Sequence, residues 1–541
     1  MKKVPLDKAQ VAAVLLQTGM IRPSRPDKLL RVAEVMRRWG PSLPAGYLTS
    51  AIRYPDRPAV IDERGVLTFA EVNERTNALA FSLQKRGIAV GDNVAIMCRN
   101  HRGFIEVTVA LAKIGANAIY LNTEFGSTAI AEVLEREGAK ALVYDEEFAE
   151  LVAEGSASLQ RFIAYNEPET KPQDPTVEEL IALGDPYERD PPPRNGRIVI
   201  LTSGTTGKPK GALRQPPHSL EPAASLYSRI PLRALGTTVI AAPLFHSWGF
   251  AHFALGLPLS STLVLRRRFD PEETLKAVAQ HRATALIVVP VMLQRILDLP
   301  SRVRRRYDTS SLRVIASSGS ALPGELAIKV MDAFGDVLYN LYGSTEVAWV
   351  AIATPEDLRA APTTAGKPPL GTVVRLYDEH GREVPTGQTG RIFAANSFLF
   401  EGYTDGSTKD VIDGLVNTGD VGHFDEEGRL FIDGRDDEMI VSGGENVYPR
   451  EVEDLLAAHE QIEEVAVIGV PDEEFGARLR AYVVLRDGAR LSAEEIKHYV
   501  RRHLARYKVP RDVIFLDALP RNATGKVLKR LLDTTPEPAS S

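Results

Sequence analysis

From about residue 48 to residue 190, short apolar runs alternate with stretches of helical spacing, and this alternation constrains the fold more than any other feature. LTFAEVNERTNALAFSLQKRG (67–87) has helical spacing after a short strand, and NVAIMC (93–98) is a buried-strand run. GFIEVTVALAKIGA (103–116) is helical, NAIYLN is a strand, and STAIAEVLEREGAKALVYDEE repeats helix then strand. Strands in alternation with helices predict a parallel sheet covered by helices. A second alternating block follows at 237–341, with TTVIAAPLF, TLVLRRRF, ALIVVP and RVIASSGS as its strands. Between 371 and 433, short runs such as GTVVRLYD, GRIFAAN and GRLFIDG are separated by glycine turns, which predicts a small antiparallel or barrel-like unit. The last hundred or so residues read as a separate α+β unit, with a capping box at Ser492 and Glu495 opening a helix. A chain of 541 residues is too long for one core, so several units are expected.

The strand RIVILTSG, entered through the proline-rich break DPPPRNG, runs into LTSGTTGKPKG (201–211). Its glycines let backbone N–H groups approach an anion, its hydroxyls donate, and Lys208 and Lys210 add charge. The spacing is not that of the common phosphate loop, because Gly204 and Gly207 are three apart and Pro209 follows Lys208. Alone, the stretch is either a phosphate site or a glycine turn. Four more motifs follow in order: YGSTE (342–346), NTGD (417–420), GRDDEMIVSGGENVYPREVE (434–453) and PRNATGKVLKR (520–530). Each alone reads as a turn, a solvated acid, a charge run or a basic tail.

Together, in this order and at these separations, the five motifs resemble the adenylate-forming superfamily of acyl-CoA synthetases, firefly-type luciferases and peptide-synthetase adenylation domains. The likeness covers roughly residues 45–530. It implies an α/β fold: a large N-terminal domain of two α/β subdomains plus a small β-barrel, and a smaller mobile α+β C-terminal domain. The expected division is a helical extension at 1–47, an adenylation domain at 48–436 and a lid at 437–541.

The resemblance also implies a reaction in two halves. A carboxylate attacks the α-phosphate of ATP to give acyl-AMP and pyrophosphate, and a thiol, usually coenzyme A, then displaces AMP. By similarity, Thr202, Ser203, Gly204, Thr205, Thr206, Gly207 and Lys208 embrace the β- and γ-phosphates, and Glu346 with the Thr202 hydroxyl holds Mg²⁺. Tyr342 stacks on adenine beside the Gly319-Ser320 backbone, Thr345 reaches the α-phosphate, and Asp420 accepts from the ribose with help from Arg435. Lys526 bridges the acid and the α-phosphate and is the expected catalytic residue, Asp437 is the hinge, and Ser442, Gly443 and Gly444 pass the pantetheine arm. Departures from the family pattern are Gly476-Ala477 where a G-E pair is usual, Val441 and Val416.

PLFHSWGF (243–250) resembles the segment bordering the acid pocket. His246 stands where amino-acid-activating domains carry an Asp, so a plain carboxylic acid is expected, with His246 in a catalytic role beside the reacting carbonyl; a histidine merely satisfied by its neighbours is the other reading. Gly249 and Gly256 leave room and Trp248, Phe250 and Phe253 are apolar, which favours a medium- to long-chain fatty acid. The expected enzyme is an ATP- and Mg²⁺-dependent fatty acid–CoA ligase. The alternatives are an acyl-AMP ligase serving a carrier protein, a CoA ligase for an aromatic or short acid, and a silent acyl- or nucleotide-binding protein. No carrier domain follows Lys526 in this sequence.

The net charge of −6 gives no global signal for nucleic acid. The single cysteine, Cys98, argues against a disulfide framework and a cysteine-based zinc site and fits a cytoplasmic setting. No signal peptide or membrane span is expected. DKLLRVAEVMRRWG (27–40) reads as a basic amphipathic helix, either packed on the body or lying weakly on a membrane. The arginine runs 266–268 and 302–306 read as a solvated face, or as a site for the CoA 3′-phosphate or an anionic membrane. A homodimer is left open.

Overall fold

The computed structural model describes residues 7–203, 209–214, 217–398, 400–438, 440–442, 445–472, 476–522 and 525–532. Four sheets organise it. The first has seven strands in the order Phe400–Tyr403, Pro209–Arg214, Ile198–Ser203, Asn117–Tyr120, Asn93–Met97, Ala139–Asp145 and Gln160–Tyr165. Its last five are parallel, as the alternation requires. Val94, Ala95, Ile96 and Met97 are fully buried, the continuous apolar signature of a strand covered on both faces. The second sheet has eight strands, ordered Ala351–Ala353, Leu338–Tyr342, Val314–Ser317, Ala285–Val288, Thr237–Ile240, Thr262–Leu265, Pro58–Asp62 and Gly65–Thr68. Only its two outermost pairings are antiparallel. Capping boxes start the helices where the sequence places them. Thr68 and Glu71 exchange side-chain and backbone hydrogen bonds at the head of Phe69–Lys85, and Ser492 and Glu495 do so at Ala493–His503.

The third sheet is antiparallel: Val373–Tyr377, Gly390–Ala395, Leu415–Phe424 and Val411–Ile412, with Leu430–Arg435 also paired to Leu415–Phe424. The fourth belongs to the C-terminal unit and has its own apolar core around Val452, Leu456, Val467, Leu479, Ala481 and Val500. A 3₁₀ turn, Asp436–Glu438, joins the two units. Lys529 Nζ lies 2.9 Å from Glu438 Oε2 in that turn and 2.9 Å from Glu453 Oε1, tying the turn to the end of the C-terminal unit.

Three N-terminal helices, α1 (Lys8–Gln17), α2 (Pro26–Trp39) and α3 (Leu43–Arg53), precede the sheets. Val35 and Trp39 of α2 pack on Ala45 and Leu48 of α3. α3 runs across residues 47 and 48 and joins the main body, with Tyr47 in the large core and the Ser50 hydroxyl 2.9 Å from that of Ser260. No helix among the described residues is long and apolar enough to cross a membrane.

The arginine run 266–268 is ion-paired: Arg267 with Glu147 and Glu167, Arg268 with Glu147, and Arg266 with Glu273. In the run 302–306, Arg306 faces Glu272 and Arg304 donates to the Leu299 carbonyl. Cys98, His101 and Asp145 cluster in the core. Both nitrogens of His101 are engaged there, Nδ1 by the Gly103 N–H and Nε2 by Asp145 at 2.7 Å, and burial pushes the Cys98 thiol well up. A neutral thiol beside a fully bonded imidazole makes a hydrogen-bonded core network and a poor metal site.

Candidate active site

In open α/β sheets the loops beyond the carboxyl ends of the strands make the ligand crevice. Here the described loops follow Val314–Ser317 and Leu338–Tyr342, and the C-terminal unit shares with them one continuous cavity of about 2070 Å³. His246, Gly319, Ser320, Tyr342, Thr345, Glu346, Asp420, Arg435 and Lys526 all line it.

Asp420 and Arg435 come from separate motifs, yet they are directly opposed across the antiparallel pair of Leu415–Phe424 and Leu430–Arg435. Arg435 Nη1 lies 3.5 Å from Asp420 Oδ1, and Tyr342 Oη donates to Asp420 Oδ2 at 2.5 Å. Burial holds the Asp420 carboxyl above its ordinary value, against the opposing pull of Tyr342, Arg435 and the Lys526 ammonium. Lys526 lines the same cavity, which places its loop at the crevice. That loop is closed by Asn522: its Oδ1 accepts from the Lys526 N–H at 2.9 Å, and its own N–H donates to the Lys526 carbonyl at 2.9 Å. Gly525 takes φ +76° and lies directly on Val291, where any Cβ would collide. Gly319, at φ +96°, turns the chain after its strand beside the crevice.

Glu346 is gripped at both oxygens. Tyr403 Oη donates to Oε1 at 2.5 Å and Ser344 Oγ to Oε2 at 2.7 Å. Burial works to raise this carboxyl, but the two hydrogen bonds and the nearby Lys409 charge prevail and hold it below its ordinary value. Tyr403 and Lys409 escaped the sequence reading. They lie in SFLFEGYTDGSTKD, whose only signal is an aromatic before a glycine-rich turn. A hydrogen bond to a charged group is worth about 1.5–3 kcal/mol. Tyr403→Phe is therefore expected to slow adenylate formation about tenfold and to lower the melting temperature, as measured by pyrophosphate release and a melting curve.

His246 stands at the N-cap position of the helix Ser247–Gly256, with no side-chain capping bond. Its Nε2 is buried without a partner, so neighbours do not satisfy it. The expected lining residues Gly249, Phe253 and Gly256 do not face the cavity. Gly249 abuts the Pro243 backbone, Gly256 packs on Leu263, and Phe253 sits in the core against Tyr47. These three share the inner face of the helix, and the cavity face carries Trp248, Phe250, Ala251, Ala254 and Leu255 instead. Room comes from two alanines, not from the glycines.

Burial pushes His246 and His252 down to about 4. An unfolded histidine titrates near 6.5, so below that pH the unfolded chain takes up protons that the folded chain refuses. The stability is fully present above pH 6.5 and declines as pH falls toward 4, by about 2 kcal/mol at pH 5 for the fully buried His252. Urea melts at pH 7 and pH 5 measure this, and His252→Gln should shrink the difference. An unchanged difference would mean that the drop comes from other groups.

Thr202 and Ser203 end the strand Ile198–Ser203, opposite Lys210 and Pro209, and Lys210 pairs with Asp405 at 3.0 Å. Gly204, Thr205, Thr206, Gly207, Lys208, Gly443 and Gly444 lie outside the described residues, as do the side chains of Thr202, Ser203, Asp437 and Ser442. Ser442 ends the strand Ile440–Ser442 opposite Glu445 and Gly476.

Residues 48–404 match the family model of the AMP-binding enzymes, and residues 451–526 match the model of the AMP-binding enzyme C-terminal domain. A feruloyl-CoA synthase from Amycolatopsis sp. is 34% identical over 480 residues, which cover 88% of this chain and 95% of that protein. A 2-succinylbenzoate–CoA ligase from Geobacillus sp. (strain WCH70) is 32% identical over 91% of this chain and 97% of its own length. The o-succinylbenzoate CoA synthetase MenE from Bacillus subtilis, solved with its acyl-adenylate intermediate, superposes with a TM-score of 0.79 at 27% identity, covering 91% of this chain and 98% of MenE. Two α/β sheets, a small antiparallel sheet and a C-terminal unit carrying Lys526 over the crevice thus meet sequence kinship along most of the chain, and the chain belongs to the AMP-binding enzymes, the adenylate-forming superfamily, as an ATP-dependent CoA ligase.

Proposed function

We propose that this ligase activates a medium- to long-chain apolar carboxylic acid and passes it to coenzyme A. A carboxylate oxygen attacks the α-phosphorus of ATP, and pyrophosphate leaves with the electrons of the broken P–O bond. The CoA thiolate then attacks the acyl carbon, and AMP leaves. The first step brings an anion onto a polyanion, so fixed cations matter most there. Lys526 would bridge the carboxylate and the α-phosphate. Tyr342 offers its ring to adenine, while Asp420 and Arg435 take the ribose, Thr345 the α-phosphate, and 202–208 the leaving pyrophosphate. The ionised Glu346, flanked by the Ser344 and Tyr403 hydroxyls, is the hard oxygen donor that Mg²⁺ prefers, and the Thr202 hydroxyl is its proposed companion. A bound Mg²⁺ would neutralise phosphate charge. Asp437 lies in the turn about which the lid would rotate, and Ser442, Gly443 and Gly444 would line the pantetheine path.

The lining of the cavity carries the choice of acid. Besides the uncharged His246 it includes the small or apolar Ala112, Ala251, Ala254, Leu257, Ile21 and Leu29. A neutral imidazole offers no fixed negative charge for a substrate ammonium. A second reading, an aromatic acid, is favoured by the feruloyl and succinylbenzoate substrates in the relatives' names.

Pyrophosphate release across acids from acetate to oleate, with ferulate included and with and without CoA, separates the two. Each buried methylene is worth about 0.8 kcal/mol, so kcat/KM should rise about a hundredfold from butyrate to octanoate. Turnover confined to ferulate or acetate would overturn the fatty-acid reading. Adenylate formed without thioester on adding CoA would point to a carrier protein as acceptor.

A further inference from the structure

The N-terminal segment 20–53 forms part of the cavity lining, and the surface there is unusual. Ile21 and Leu29 line the cavity and are also 59% and 46% exposed, so they form its rim. Leu30, next to Leu29, is 72% exposed, and Leu16 at the end of α1 is 57% exposed. These four are among the eleven large apolar side chains that stand exposed in the described residues, yet they lie within fifteen positions of one another. All are aliphatic. α2 cannot turn Leu29 and Leu30 inward, because Val35 and Trp39 on its other face are already packed on α3.

The charge around the rim is as uneven. Residues 21–40 carry six basic side chains (Arg22, Arg25, Lys28, Arg31, Arg37 and Arg38) against Asp27 and Glu34, in a chain whose net charge is −6. Arg25 and Arg37 pair with those two acids, and Arg38 with Asp190. Arg22 and Lys28 donate to the backbone carbonyls of Gly19 and Arg53, which leaves their charge uncancelled, and Arg31 is exposed. Exposed aliphatic side chains among surplus cations are the signature of a helix that rests in a lipid headgroup layer.

Geometry ties that surface to the chemistry. A long acid dissolved in a bilayer holds its carboxylate at the surface and its tail in the hydrocarbon. His246 and Lys526, the proposed reacting groups, line the same cavity as Ile21 and Leu29. An acid entering at Ile21 and Leu29 therefore arrives carboxylate first with its tail following.

We propose that α2 and the segment 21–26 dock on an anionic lipid surface, and that the rim at Ile21 and Leu29 is the port through which the acid leaves that surface for the active site. This rests on the reading of the substrate as a long apolar acid. Cosedimentation of the full chain with vesicles tests the docking without any acid present. Binding to phosphatidylcholine vesicles containing phosphatidylglycerol should exceed binding to pure phosphatidylcholine at least tenfold, and 0.5 M salt should weaken it. Leu30→Glu with Arg31→Glu alters two exposed side chains that do not line the cavity. It should lose vesicle binding at least tenfold and turn over vesicle-borne palmitate correspondingly slowly, while octanoate in free solution is activated within twofold of the parent rate. Arg31→Glu alone should give an intermediate loss, which guards against misfolding of the double variant. Equal binding to neutral and anionic vesicles, or a double variant that binds as the parent does, would overturn the port. So would conversion of a dimer to a monomer by the double variant with no vesicle binding by the parent, because the patch would then be an interface between copies. If anionic vesicles bind but no acid of eight carbons or more is activated, the substrate reading fails and the docking surface stands.

Discussion

Replacing Lys526 by alanine is expected to slow acyl-adenylate formation about 10²–10³-fold, the usual cost of removing one preorganised group that meets developing charge. Transfer of the acyl group from preformed acyl-AMP to CoA should stay within about threefold, because in the proposed mechanism the lysine meets the phosphate only in the first half-reaction. The variant should fold normally: Lys526 is exposed, and its loop is held by backbone groups, Asn522 and the contact of Gly525 with Val291. The two halves can be read separately, by pyrophosphate release and by thioester formation from synthetic acyl-AMP. Equal losses in both would remove Lys526 from its proposed place.

Glu346→Gln should be nearly as damaging. The amide keeps the size of the carboxylate and still offers one oxygen to Tyr403 or Ser344, so the fold is preserved while the negative charge is lost. Ligand charge contributes several kcal/mol to a site that handles phosphate and a hard cation. A loss of about 3 kcal/mol corresponds to about a hundredfold in adenylation rate, with a higher Mg²⁺ concentration needed for half-maximal rate. If the rate falls and the Mg²⁺ requirement does not move, the carboxylate acts on something other than the metal.

Much of the scaffold is legible in the residues. The alternation of NVAIMC, NAIYLN and ALVYDEE with helical stretches leads to the parallel strands Asn93–Met97, Asn117–Tyr120 and Ala139–Asp145, because buried parallel strands are apolar on both faces. The motifs that line the crevice are legible as motifs. Their pairing is not: nothing in NTGD and GRDD announces that Asp420 and Arg435 face each other, since register is set by the sheet as a whole. The acid pocket was misread at the level of helix phase. Gly249 and Gly256 look like openings in a one-dimensional string, yet they serve close packing, and which face of Ser247–Gly256 meets the cavity depends on partners distant in sequence. Gly46 against Leu257 is such a partnership, made by two residues with no visible relation in the chain. Tyr403 was missed because an uncharged ring gives no hint of the carboxylate it will hold.

The Lys529 clamp has a mechanical consequence. Lys529 is three residues from Lys526 and grips Glu438, which directly follows Asp437 in the joining turn. If the lid turns about Asp437 as proposed, the clamp makes the turn the short arm of a crank whose long arm ends at Lys526. Rotation would then be passed to Lys526, and the lysine would leave the nucleotide as the lid turned. Adenylation and thiol transfer would be alternating strokes of one lever, and slackening the clamp, as Lys529→Met would, should let the strokes fall out of step.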